Sequence, residues 1–353
     1  MDEKKYIAYV GTYTNGSSKG IHLYDVDVQE GTLLFRKVVP VNNCSHMALS
    51  KNGSYLYSIS DEGIQVFRVC IDGDLESVNT VNINGMRATH ICTSYEGKYL
   101  YCAGYHDGKV TVIKINEDGT LGDVIASVFH KPTGTVAERN FRPHVCCVRP
   151  TPDDKYFCAV DSGIDRVVIY QVNEGKKRLE QVEILRMQRD SGPRAVRFSK
   201  NGRFMYVLCE LQNQIEVYSY DGSGKYPVFG KIQEISTLSK GGHERDYDAA
   251  QHLNMSPDKE YLYCTTAGEN TLSLYKIDDE TGLLEKRFTL PVSGVYPKRV
   301  VPFPDGRHVA VANNSSNTVT TFTIDYEKNT LIMKGRPQKV DQPNSIVFKE
   351  IKE

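Results

Sequence analysis

The sequence predicts an all-β fold: a seven-bladed β-propeller of four-stranded antiparallel blades. Three observations predict it. A hairpin unit occurs six times, the two chain ends carry the split parts of one more unit, and helical periodicity is nearly absent along 353 residues. Even repetition of several short strands per roughly 40–50 residues is the mark of propeller blades.

The repeated unit is an apolar strand, a polar turn and a Tyr- or Val-rich strand. It reads "SHMALSKNGSYLYSIS", "ATHICTSYEGKYLYCAG", "HVCCVRPTPDDKYFCAV", "PRAVRFSKNGRFMYVLC", "QHLNMSPDKEYLYCTT" and "PKRVVPFPDGRHVAVAN". The turns centre on Gly53, Gly97, Asp154, Gly202, Lys259 and Gly306, at spacings of 44, 57, 48, 57 and 47 residues. Asn-Gly and Asp-Gly supply the positive φ that a tight hairpin needs. A third strand follows each pair, as in "GIQVFRV", "RVVIYQV" and "TLSLYKI", and a more polar fourth follows several, as in "LESVNTVNI". At the C-terminus "QPNSIVFKEI" matches only a first strand, and at the N-terminus "KYIAYVGTY" and "GIHLYDVDV" match only a second and third. Joined, they make a seventh blade, and a ring closed by N- and C-terminal strands sharing one blade leaves no exposed edge. Residues 1–353 then form a single domain.

Composition excludes several classes of function. A formal net charge of −1 gives no global attraction to nucleic acid or an anionic membrane, so an anionic ligand needs a local basic pocket. The nine cysteines include no C-x-x-C pair and no zinc-ligand spacing. Most lie in apolar strands and read as buried free thiols, which suits a reducing compartment. "MDEKKYIAYVGTYT" lacks a signal-peptide core, and no apolar run nears the roughly 18 residues of a membrane helix, so a cytoplasmic location is expected. No cofactor, metal, nucleic-acid or membrane partner is expected, and the oligomeric state is left open. The absence of Trp argues against a WD40-type interaction platform. "GSSKG" (16–20) matches the G-x-S-x-G expression, but it sits in a hairpin rather than a strand-to-helix elbow, so no serine nucleophile is assigned. The 22 tyrosines alternate in strands and read as sheet packing rather than a nucleic-acid stacking platform.

"YVGTYTNGSSKGIHLYDVD", "GPRAVRFSKNGRFMYVLCEL" and "NTLSLYKIDDETGLL" resemble the bacterial lactonase propellers. These are the cycloisomerase-type 6-phosphogluconolactonases, similar in turn to fungal carboxy-muconate cyclases. The likeness runs blade by blade over nearly the whole chain. Its most specific pieces are the opening Gly-Thr-Tyr-Thr and the pair Gly192-Pro193-Arg194 and Cys209-Glu210-Leu211. The resemblance implies a seven-bladed propeller and a metal-free lactone hydrolase, or a lactone-forming cyclase, with its site at one mouth of the central channel. It places the family's His, Arg and Glu on His144, Arg194 and Glu210. A later family arginine falls on Lys298, and another falls on the uncharged Thr266-Ala267.

Lactone hydrolysis needs a polarised carbonyl, a deprotonated water and a leaving ring oxygen. One general base and one or two cationic donors suffice. The expected catalytic set is therefore His144, Arg194 and Glu210. Glu210 or His144 activates water, the other assists the leaving oxygen, and Arg194 binds the carbonyl oxygen or an anionic substituent. Lys298 and Arg142 add positive potential for a small anionic lactone. Arg194 and Glu210 also admit a plain reading as a salt bridge between strand ends, yet the next blade repeats neither charge. His46, His90 and His252 stand seven residues before their turns, whereas Arg194 and Lys298 stand eight before theirs. Alternation of faces then suggests that the two sets point differently. The three histidines read as mostly structural, with His252 kept among the substrate-binding candidates. The loops 130–144 and 241–252 are expected to rim the mouth, touching substrate or standing as solvated loops.

Overall fold

The computed structural model describes residues 4–133, 142–239 and 247–351. These contain 28 strands in seven four-stranded antiparallel sheets and, among the described residues, no helix. Blades 1 to 6 occupy residues 47–81, 90–129, 145–186, 193–236, 249–291 and 297–339. Blade 7 joins Pro343–Ile351, as its inner strand, to Lys5–Thr12, Gly20–Asp27 and Thr32–Pro40. The split blade is thus as expected, with its fourth strand also drawn from the N-terminal part.

The hairpin chemistry is borne out at each anticipated turn. Gly53, Gly97, Asp154, Gly202, Lys259 and Gly306 all have positive φ, between 55° and 76°. Asp154 and Lys259 hold this left-handed backbone despite having a Cβ, a conformation costing about 1–2 kcal/mol.

The hydrophobic core is distributed rather than central. Seven clusters of buried residues each lie between two neighbouring blades. Between blades 4 and 5, for example, Leu208, Ile215 and Val217 pack with Leu253, Leu262 and Tyr275. Full burial of one such aliphatic side chain is worth about 1.5–3 kcal/mol. The tyrosines serve this packing, as their alternation suggests. Tyr9 and Tyr57 are fully buried, and their hydroxyls donate to Gly73 O at 2.7 Å and Gly119 O at 2.5 Å in the next blade. With the apolar side chains spent between blades, the inner strands are free to line the axis with polar groups.

Candidate functional site at the channel mouth

Each inner strand begins at the mouth of the channel and runs toward its hairpin turn. Near its start the ladder skips one residue on the inner strand in five blades. The extra residues are Cys146, Arg194, Gln251, Lys298 and Asn344. Such a bulge leaves one residue unpaired and re-aims its side chain. All five line one cavity of about 330 Å³, joined by Ser45 and Thr89 from blades 1 and 2. In blade 7 the bulge faces Gly11, where an added Cβ would lie 2.2 Å from Cys44 O. Tyr13, two residues on, also lines the cavity.

The bulges correct one sequence expectation. The residues seven and eight before a turn were expected to face differently. Instead Gln251 with His252, and Lys298 with Arg299, line the same cavity. An inserted residue resets the alternation, so adjacent positions share the axis.

Arg194 and Glu210 form the centre of this cavity. Arg194 Nη1 donates to Glu210 Oε2 at 2.7 Å, and its Nε donates to Gln251 O at 2.9 Å. Gln251 Nε2 donates to the other carboxylate oxygen at 3.0 Å, so the sister-blade residue completes the arrangement. Among the described residues Arg194 Nη2 has no partner. The two side chains are 22% and 19% exposed, well short of a solvated surface pair. Burial opposes the charge on Arg194, but Glu210, with Cys146 and Tyr296 beside it, raises the guanidinium pKa on balance. Backbone bonds hold Glu210 between blades: its N–H donates to Gly192 O at 2.8 Å, and its carbonyl accepts from Ala250 N at 3.2 Å.

Lys298 lines the same cavity from blade 6. Its ammonium lies 4.8 Å from the centre of the Tyr13 ring, and Arg87 lies 5.5 Å from the same centre. Burial, reinforced by Arg194 and Arg299, lowers the Lys298 pKa to about 7. Cys146 is no nucleophile here. Its thiol donates to backbone carbonyls, including Arg194 O at 3.4 Å, and burial pushes its pKa up.

The remaining predicted residues are placed differently. His144 is half-buried and does not line the cavity itself. Its ring stacks on Tyr105, which does, with centroids 4.3 Å apart. Its Nδ1 lies 2.8 Å from Tyr105 O, which assigns the proton to Nδ1 and the free lone pair to Nε2. Arg142 is exposed and lies outside the cavity lining. His252 is buried and lines the cavity. The stretches 134–141 and 240–246, which include most of the two expected rim loops, lie outside the described residues.

His46, His90 and His252 do act as structural stitches. Each offers Nδ1 to a backbone N–H in the next blade: Ile91 at 3.4 Å, Val148 at 3.4 Å and Val300 at 3.2 Å. Tyr13, Tyr105, Gln251 and Tyr296 are cavity residues that the sequence reading did not select. Counting eight residues back from Lys259 finds Gln251, and the opening Gly-Thr-Tyr-Thr contains Tyr13. Tyr105 and Tyr296 sit in loops with no comparable signal.

Residues 7–348 match the family described as "Lactonase, 7-bladed beta-propeller". The chain is 26% identical over 351 residues to a 6-phosphogluconolactonase of Bacillus subtilis, covering 98% of each chain. A 6-phosphogluconolactonase of Formosa agariphila is 25% identical over 348 residues, covering 95% of each. Among solved structures, the periplasmic gluconolactonase of Pseudomonas aeruginosa superposes with a TM-score of 0.90 at 26% identity, covering 99% of this chain and 100% of that one. A match of this extent, with the fold and the polar mouth already in place, fixes the relationship: the chain belongs to the seven-bladed β-propeller lactonase family.

Proposed function

We propose that the chain hydrolyses 6-phosphogluconolactone or a related sugar lactone at the channel mouth. The carrying observation is the half-buried Arg194–Glu210–Gln251 arrangement facing an open cavity that Lys298 also lines. The names of the relatives support lactones of this class, phosphorylated in two cases and described as gluconolactone in the third.

In this reading the lactone carbonyl oxygen lies against Arg194 Nη2, with Lys298 adding positive charge. Both Glu210 oxygens already accept one hydrogen bond, which orients the carboxylate and leaves lone pairs to accept a proton. Glu210 takes a proton from water as the water oxygen bonds to the carbonyl carbon. The tetrahedral oxyanion rests on the guanidinium. The ring C–O bond then breaks, and the proton passes from Glu210 to the leaving oxygen, giving the open hydroxy acid. Glu210 is preferred to His144 as base because it lines the cavity. His144 stands behind Tyr105 as a positioning residue. A panel of phosphorylated, unphosphorylated and carboxylated lactones, assayed by acid release above spontaneous hydrolysis, tests the proposal. Turnover of sugar lactones is expected. Turnover confined to other carboxylated lactones would reassign the substrate, and silence across the panel would leave a ligand-binding propeller instead.

A further inference from the structure

Below the mouth the channel narrows into a second chamber of about 140 Å³. Arg149, Arg197, Arg299, His46, His252 and Asn254 are among its walls. Arg197, His252 and Arg299 line both chambers, so the two adjoin.

The chamber is rich in donors and short of acceptors. Arg197 Nη1 reaches only Val196 O, at 2.8 Å, and Arg299 Nε only Asn344 O, at 3.2 Å. The Arg149 side chain makes no hydrogen bond or ion pair among the described residues, and its Nε is fully buried without a partner. None of the three is in an ion pair there. Asn254 offers little relief, because its oxygen accepts from Met255 N at 3.0 Å and its Nδ2 donates to Val300 O at 3.1 Å.

His252 sharpens the imbalance. Burial, with the arginines around it, holds its pKa well below the usual histidine value, so the ring is neutral. Val300 N–H at Nδ1 assigns the single ring proton to Nε2. That Nε2–H then faces Arg299 Nη1 at 3.0 Å and Arg197 Nη2 at 3.3 Å, donor against donor.

A guanidinium does not shed its proton in a protein, and the three arginines are half-buried, so each is partly withdrawn from water with no carboxylate to offset the loss. Burial and the neighbouring arginines press Arg197 down to about 9 and Arg299 to about 10, whereas nearby thiols and Tyr95 leave Arg149 raised despite its burial. Donors from several directions suit an anion with several oxygens, and Arg forks match phosphate geometry.

We propose that this inner chamber binds one tetrahedral oxyanion, a phosphate or phosphoryl group, through Arg149, Arg197, Arg299 and the Nε2–H of His252. The site stands independently of the lactonase reading. Its occupant comes either from free phosphate or from a phosphoryl group on a ligand seated at the mouth.

Calorimetric titration of the full chain with inorganic phosphate tests it, in buffer free of other multivalent anions. One phosphate per chain is expected, with affinity reduced at least about tenfold in Arg149→Gln and partly retained in Arg149→Lys. Absence of binding to the unaltered chain, or unchanged affinity in a folded Arg149→Gln, overturns the proposal. If Arg149→Gln does not fold, melting of the unaltered chain decides. Phosphate must raise the midpoint more than sodium chloride at equal ionic strength, and equal rises overturn the site. Inhibition kinetics separate the two sources. Competition against a phosphorylated lactone only identifies the phosphoryl group of the substrate, whereas binding without competition identifies free anion, and both uphold the site. A chain inactive on every lactone leaves the calorimetry unaffected, so the two readings fail separately.

Discussion

Arg194 at the channel mouth is held by Glu210 at 2.7 Å and by Gln251 O at 2.9 Å. The side chain of Arg149, deeper on the same axis, has no hydrogen-bond partner among the described residues. Both arise from inner strands of the same repeat, eight and five residues before their hairpin turns. The difference separates two uses of a buried cation. A cation fixed by its own carboxylate is preorganised, so it can stabilise charge that develops during reaction without drawing in a counter-ion. A half-buried cation with no carboxylate beside it is left available to an anion brought by a ligand.

The strongest way to break the contrast is to remove the fixed cation. Arg194→Ala should lower lactone kcat/KM by about 10²–10³-fold, in proportion to losing one oxyanion donor. Cooperative melting should persist, because the blades are held by inter-blade apolar clusters. Near-normal turnover would demote the pair to a strand-end salt bridge.

A smaller effect sits at Lys298, which lies between the two regimes. Its pKa is depressed from 10.5 to about 7, so its charge is present below pH 7 and lost above it. For an anionic lactone, kcat/KM corrected for spontaneous hydrolysis should fall about tenfold between roughly pH 6 and pH 8. Lys298→Arg should remove that limb, since a guanidinium stays charged. A profile unchanged by the substitution would take Lys298 out of anion binding.

The smallest effect concerns the hairpin beneath the inner chamber. Lys259 holds a φ of 61°, and burial together with Arg149 lowers its pKa. Lys259→Gly should stabilise the fold by about 1 kcal/mol in urea unfolding. Lactone turnover should be unaffected, because the mouth residues belong to the other end of each strand. A loss of stability would show that the side chain contributes more than its backbone strain costs.

The propeller was legible because hairpin chemistry repeats: the same turn position has positive φ in six blades, and the termini carry complementary fragments. The fourth strand of blade 7, Thr32–Pro40, was not singled out, because its half-exposed residues carry little pattern. Arg194 and Glu210 were legible through the family motif and by not recurring together in the sister blade, and Lys298 through the family motif alone. The bulges were not, since one inserted residue leaves strand composition intact while resetting which side chains face inward. This is why counting alternation separated His252 from its neighbours. Arg149 in "CCVRP" and Arg197 in "AVRFS" belong to no motif that marks them out. Only ring closure brings them together with Arg299.

The most direct measurement of the central claim is the single-turnover rate of Glu210→Gln on the best lactone of the panel, beside its melting curve. Glutamine keeps an acceptor for Arg194 but has no carboxylate to take a proton from water. The account predicts loss of about 10²–10⁴-fold in rate with a cooperative melt preserved. A folded Glu210→Gln that turns over lactone at close to the original rate would contradict it.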